Sequence, residues 1–388
     1  MAHTAAVRGT AMVVSGRVKV DMKDRILKLQ PSQTPFRVFT TKVGGKRKAV
    51  SAKFEWIEDS FDPRWVTLAG AISGGAASED SVATTAGQTE YMKVGDVLWV
   101  AATNEKVWVD DISVSGDTID ITRVGSGDIT TAALGTKLLI IGSAFEEGSG
   151  KGTEYTAQLT LPWNYTQIFK TDYGITGTAA ATAMYGGAEL KRLRAKKGIE
   201  HNLDIEYGLM FGERDLQSAG THPRRFTRGA IHWVEDGGLN IDTSSYAAYT
   251  VDDFEAYLAG IFANGAYSSD QKLAFCGQDI ITLVNSWALP SYRLKTGETK
   301  FGVPIMRYQS AHGEVVLIKQ PLFDSGLVKY ALIVDPANLA YVYLQGRDTH
   351  LWANVEDNDV DGSEEEYLTE CGLEMSKMAT HGLMKLAA

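Results

Sequence analysis

Apolar positions along the chain change period several times, and these changes divide it into segments. Between Ile175 and Asp215 they recur at spacings of three, four or six. Leu190, Leu193, Ile199, Leu203, Tyr207 and Met210 line one stripe, which predicts a long helix over about 183–214 with that stripe facing a partner. Thr182 is placed to cap it, and good helix formers dominate from Ala188 onward. Gly198 and Gly208 each weaken such a helix by roughly 1 kcal/mol, so tertiary packing has to hold it. Some thirty residues would reach about 45 Å, the length of a strut rather than of a core helix.

Elsewhere the period is shorter. Residues 1–35 have too little apolar surface for a domain and read as an arm, or alternatively as a flexible segment, holding a short helix over Val18–Leu29 that Pro31 and Pro35 stop. Alternation at Lys48, Val50, Ala52, Phe54 and Trp56 predicts a strand, and a matching segment, Glu154–Phe169, pairs with it as an extended antiparallel hairpin. Between them, Ala69–Gly87 is small and polar and reads as a linker. Tyr91–Ile141 then gives short, regularly spaced strands that predict an inserted β-barrel or sandwich. Thr221–Val234 is a basic crossing with aromatic residues. Helices over Asp252–Phe262 and Gly277–Trp287, the first capped by Thr250 or Asp252, alternate with strands over Lys272–Cys276, Val303–Tyr308 and Glu314–Lys319. Strands return over Ala331–Tyr343, His350–Val355 and Tyr367–Leu386, so the fold class is α+β.

Charge sharpens this map. Lys191, Arg192, Arg194, Lys196 and Lys197 crowd the first half of the long helix and acids the second. The helix dipole prefers the opposite order, which implies that some of these charges answer to partners beyond the helix. The alternative is an ordinary solvated face. The chain of 388 residues has a net charge of −10, so nucleic acid could meet only a local basic face, such as this one or Arg224, Arg225 and Arg228, and without sequence readout. Cys276 and Cys371 cannot form a disulfide framework and fit a reducing compartment. The first residues lack the apolar core of a secretory signal, and no stretch nears the roughly 18 apolar residues of a membrane span.

Catalytic patterns are sparse. Gly150-Lys151 lacks the Ser or Thr of a phosphate loop. Ser269 with Lys272, and Lys295-Thr296-Gly297, imitate penicillin-recognising motifs but lie too close together. His201 falls on the polar part of the helix, and His232 beside Trp233 reads as packed. Asp357, Asp359, Asp361 and Gly362 match the start of a calcium loop, but Leu368 stands where the bidentate Glu belongs. A solvated acidic loop is the simpler reading, and a loose Ca²⁺ or Mg²⁺ site the alternative. No cofactor is expected.

Four stretches resemble the tailed-phage major capsid proteins of the Hong Kong 97 fold, within them the SU-ten-like major head protein family. They are Leu27–Asp59, with L-x-P-x-x-T-P-F and E-W-x-x-D; Trp163–Thr178, with N-x-T-Q-I-F and G-T; the helix with E-L-K-R-L; and Tyr367–Leu386, with T-E-x-G-L-E. The resemblance implies an N-terminal arm (1–40), an E-loop hairpin (41–70 and 150–175), a β module inserted in it (71–149), a peripheral domain (176–235 and 335–388) and an axial domain (236–334). It implies a virion protein, assembled in the host bacterial cytoplasm, whose partners are its own copies in pentamers and hexamers. Lys46, Arg47, Lys48, Phe54 and Trp56 would be intersubunit E-loop residues. Lys191, Arg192, Arg194, Lys196 and Lys197 would face DNA or a neighbouring subunit. Packaged double-stranded DNA, separate scaffolding and portal proteins and a decoration protein are the further partners, and no membrane or covalent cross-link is expected. A tail-tube or baseplate protein, and more remotely a hydrolase using Asp357, Asp359 and Asp361, are the competing readings.

Overall fold

The computed structural model describes residues 34–59, 61–74, 79–125, 127–150, 158–182, 188–237, 240–263, 268–288, 294–300, 303–324 and 326–387. The helix expected over Val18–Leu29 lies outside them. The chain divides into one unit of residues 1–56 and 161–388 and a second of residues 57–160.

In the larger unit a fourteen-residue strand, Gly362–Met375, is the centre of a five-stranded sheet. Gln167–Thr176 pairs antiparallel along one of its edges. His350–Ala353 and Leu339–Leu344 share the other edge, and Lys46–Ala49 adds in parallel to Leu339–Leu344. Of the expected hairpin, Lys53–Glu55 pairs with Trp163–Tyr165 and Glu58 bridges Thr160, while the residues that follow Tyr165 leave for the sheet. Within the span expected to be arm, Pro35 starts a helix, Pro35–Phe39, where its missing N–H costs nothing, and Phe36 and Phe39 are fully buried.

The long helix spans Glu189–Phe211, about 35 Å at 1.5 Å per residue. Ala188 is its N-cap, whereas Thr182 ends a separate short helix, Gly177–Ala181. The face it buries is His201, Ile205, Glu206, Leu209 and Met210, while Tyr207 of the expected stripe is 48% exposed. The true face is partly polar, which is why apolar periodicity misplaced it. The two glycines mark close approaches. A Cβ at Gly208 would stand 2.6 Å from the ring of Phe169, and one at Gly198 would stand 3.2 Å from the Tyr367 hydroxyl.

A seven-stranded mixed sheet forms a second layer of this unit, in the order Ile241–Asp242, Gly382–Lys385, Tyr330–Val334, Gln271–Cys276, Glu314–Lys319, Val303–Gln309, Leu294–Lys300. Helices Val251–Phe262 and Gln278–Ala288 accompany it. Thr250 and Asp253 close a capping box on the first, so the acid that reaches back is Asp253 rather than Asp252. Gly382–Lys385 joins this sheet although its sequence neighbours belong to the other one. Ser269 and Lys272 have a structural role here. The Lys272 ammonium, wholly buried, donates to Asp335 at 2.6 Å, and the Ser269 N–H and hydroxyl donate to the same carboxylate. Burial pulls the Lys272 pKa down and works against the Asp335 charge, but these donors hold Asp335 below the usual carboxylate value. Cys276 and Cys371 are buried free thiols.

Residues 57–160 form a six-stranded antiparallel sheet, in the order Trp65–Thr67, Lys137–Ser143, Asp96–Val100, Lys106–Ser113, Thr118–Arg123, Glu79–Ala83. Its two outer strands meet where Leu68 bridges Thr84, so the sheet curls back on itself around Val66, Leu98, Val109, Ile121 and Leu138. This unit is larger than the 71–149 expected. The supposed linker Ala69–Gly87 contributes Ile72 and Val82 to its core, because the strand Glu79–Ala83 turns Val82 inward and its neighbour Ser81 outward.

Gly208→Ala tests the helix–sheet approach. The gain of about 1 kcal/mol in helix propensity is outweighed by overpacking against Phe169, which costs about 1–3 kcal/mol. A lower denaturation midpoint than wild type is expected, and a higher one would disprove the contact.

Candidate assembly surfaces

The charges of the long helix are largely answered within the chain. Arg194 grips Glu365 of the central strand, with Nε–H donating to Oε2 at 2.9 Å, and the Tyr173 hydroxyl donates to the same carboxylate. Arg192 pairs with Glu189, and Lys196 and Lys197 with Glu200. Lys191 is exposed. Arg192, Lys196 and Lys197 thus pair within the helix, whereas Arg194 reaches a strand of the same chain. The Arg194 side chain stays 43% exposed beside that pair, whereas Arg228 is 6% exposed and pairs with Asp236, so it leaves the phosphate-facing group.

Among the E-loop candidates, Phe54 and Trp56 require correction. Both lie in the core of their own unit, stacked on each other at 6.2 Å, with Trp56 against Trp233 at 5.6 Å. Alternation located them on a strand correctly but could not tell an intersubunit face from an internal one. Lys46 pairs with Asp348 at 2.7 Å and lies over the rings of Tyr341 and Tyr343, and Arg47 pairs with Glu374. Lys48 is exposed.

Two buried groups on the helix escaped the sequence reading. His201 is enclosed rather than on a polar face. Thr369 gives its hydroxyl proton to Thr349, so it accepts from His201 Nε2–H at 2.7 Å, and Nδ1 accepts from Thr171 at 2.9 Å. Burial lowers its pKa to about 4, which keeps it neutral. Glu206 is fully buried, and its carboxylate accepts the N–H groups of Phe36 (3.3 Å) and Arg37 (3.2 Å) and the Gln320 amide (2.6 Å). It caps the helix Pro35–Phe39, whose own N-cap, Thr34, makes no side-chain cap. The Arg37 guanidinium binds Asn202 and Thr349, so the point where the N-terminal segment enters is clamped to helix and sheet alike. Burial is the main cause that raises the Glu206 pKa to about 7. Asn164 of the N-x-T-Q-I-F stretch is a third such group. Its amide donates to Thr227, the Arg228 carbonyl and the Leu373 carbonyl, and its oxygen accepts the Arg228 N–H.

The acidic loop does not assemble into a metal centre. Asp357, Asp359 and Asp361 are exposed, and no group of three or more His, Cys, Asp or Glu able to hold a metal ion occurs among the described residues. Asp361 instead accepts the Gly177 N–H through its carbonyl, and the Val360 N–H bonds to the Asp357 carbonyl. Across from it along Gln167–Thr176, the hairpin Asp215–Gln217 and Arg224–Phe226 presents Arg224 and Arg225 at a groove of about 350 Å³ shared with Ile168.

A solved structure from Mycobacterium phage Bobi is similar over 98% of this chain and 99% of its own, at 11% identity and a TM-score of 0.50. The mixed helix and strand architecture is the Hong Kong 97-type fold of phage capsids. A major capsid protein of Pseudomonas phage PaMx41 is 24% identical over 337 residues, covering 83% of this chain and 78% of that protein. The SU10 major capsid protein family model matches residues 4–388, and the chain belongs to that family.

Glu206 makes the clamp pH-dependent. Its folded pKa lies above the unfolded value, so its contribution to stability is fully present below about pH 4.5 and is lost as pH rises through about 7. That rise in pKa corresponds to roughly 3 kcal/mol. Facing Glu206 are Phe36, Arg37 and Gln320. Wild type is therefore expected to lose stability relative to Glu206→Gln between pH 5 and pH 8 in urea melts. A stability difference that does not change with pH would contradict the assignment.

Proposed function

We propose that this chain is the major capsid protein of a bacteriophage, a structural subunit that self-assembles into the icosahedral head shell. The observation that carries the reading is membership of the SU10 major capsid protein family across residues 4–388. Pentamers and hexamers follow from a single subunit shape making repeated heterologous contacts that close. In this reading the seven-stranded layer is the axial domain, and the five-stranded sheet with the helix Glu189–Phe211 is the peripheral domain. The paired strands Lys53–Glu55 and Trp163–Tyr165 are the base of an E-loop that carries the unit 57–160. The segment before Pro35 is an arm laid on a neighbouring subunit, with Glu206 and Arg37 fixing its point of departure.

The shell encloses double-stranded DNA held without sequence readout. Exposed lysines such as Lys191 and Lys48 offset part of the phosphate repulsion from a chain of net charge −10. Assembly takes place in the host bacterial cytoplasm with separate scaffolding and portal proteins, and the unit 57–160 is a place for a decoration protein to bind. The role is structural rather than enzymatic. Asp357, Asp359 and Asp361 have no histidine or nucleophile in register with them, which disfavours the hydrolase reading.

Negative-stain electron microscopy with light scattering on the purified full chain tests this. Closed shells, hexameric rings or hexagonal sheets are expected. Rods or stacked rings would favour a tail-tube protein, and a monodisperse monomer or dimer at high concentration would overturn the capsid reading.

A further inference from the structure

In the larger unit most side-chain charges find an opposite charge inside the chain: Arg47 with Glu374, Lys170 with Glu366, Arg194 with Glu365, Lys272 with Asp335, Arg307 with Glu314, and Arg347 with Glu370. Two groups along the strand Gln167–Thr176 are not among these pairs. Near its start, Arg224 and Arg225 line the groove with Ile168, which is 47% exposed, and make no ion pair among the described residues. Near its middle, Asp172 and Glu364 border an acidic cleft of about 380 Å³. This cleft adjoins residues 356–366, where seven of eleven are Asp or Glu. Asp172, Glu364, Asp357 and Asp359 are exposed and have no cationic partner among the described residues.

The strand between these poles is open. It pairs with Gly362–Met375 on one side, and no strand pairs with its other side among the described residues. Ile168 and Asp172 sit on the same, exposed face, about 13 Å apart at 3.3 Å per residue. An open edge with a positive end and a negative end is complementary to another copy of itself, either reversed or displaced along it. The displaced arrangement is heterologous and repeats from subunit to subunit, as the shell of the capsid reading requires.

We infer that the strand Gln167–Thr176 is a charge-coded contact between copies of this chain: the Arg224–Arg225 hairpin of one copy docks in the Asp172–Glu364 cleft of the next. The inference rests on the capsid reading above and adds residues and polarity to it. Opposite charges facing each other across such a contact set its register and suppress like-to-like docking. A basic hairpin could also serve packaged DNA. The adjoining apolar Ile168 and the matched acidic cleft on the same strand favour a protein partner.

Charge swapping tests it, since single exposed ion pairs contribute too little to read one at a time. Four full-length chains are expressed in bacteria: wild type, R224E/R225E, D172K/E364K and the quadruple variant. Particles are counted by electron microscopy after sedimentation, and circular dichroism melts identify any variant that misfolds. Each double variant is expected to fold but to place about tenfold fewer chains in shells, whereas the quadruple variant, whose poles are exchanged but still complementary, recovers wild-type yield. Misfolding of a double variant alone does not decide the matter, because recovery by the folded quadruple still supports the contact and failure to recover overturns it. Double variants that assemble like wild type overturn the contact while leaving the capsid reading intact. So do R224E/R225E shells that form normally but retain less DNA. Wild-type chains that form no assemblies at all overturn the capsid reading and this inference together.

Discussion

A strand that carries glutamates into the interior is stable only if cations reach them there. Gly362–Met375 buries Glu365, Glu366 and Glu370 to 7% exposure or less, with Glu374 little more accessible. An isolated carboxylate at such depth is strongly disfavoured. The remedy draws on four separate parts of the chain: Arg194 from the long helix, Lys170 from the neighbouring strand, Arg347 from the turn before His350, and Arg47 from the first strand. Burial of the strand, docking of the helix and closure of the sheet therefore depend on one another. Removing any one cation strands a buried charge, and this is a stronger constraint than the loss of a surface pair.

The same constraint separates internal charges from those left for other work. A subunit that must bind its own copies cannot present many unmatched charges without binding them in wrong registers. Internal pairing silences most of the basic helix and leaves its polarity to serve the fold. Among the charges that stay unmatched, those at the open strand edge include both signs. The helix Pro35–Phe39 is fixed by a different device. Glu206 supplies from the long helix the hydrogen-bond acceptors that its N-cap, Thr34, does not provide.

The sequence by itself determined the alternation of β, long-helix and mixed segments, the presence of an inserted β unit, and the family resemblance. Each of these rests on local periodicity, turn chemistry or residue identity, all written along the chain. Tertiary structure decided the rest. The buried face of the long helix is His201, Ile205 and Leu209 with Glu206, and polar residues become interior only when distant partners such as Thr369 and Gln320 arrive. Phe54 and Trp56 look the same on paper whether they meet a neighbour or Trp233 of their own chain. Ala69–Gly87 is too small and polar to read as core, yet strand pairing turns alternate residues of it inward. Gly208 reads as a weakness in a helix until Phe169, 39 positions away, needs the space. Contacts between residues far apart in sequence have no local signature, which is why only the folded chain reveals them.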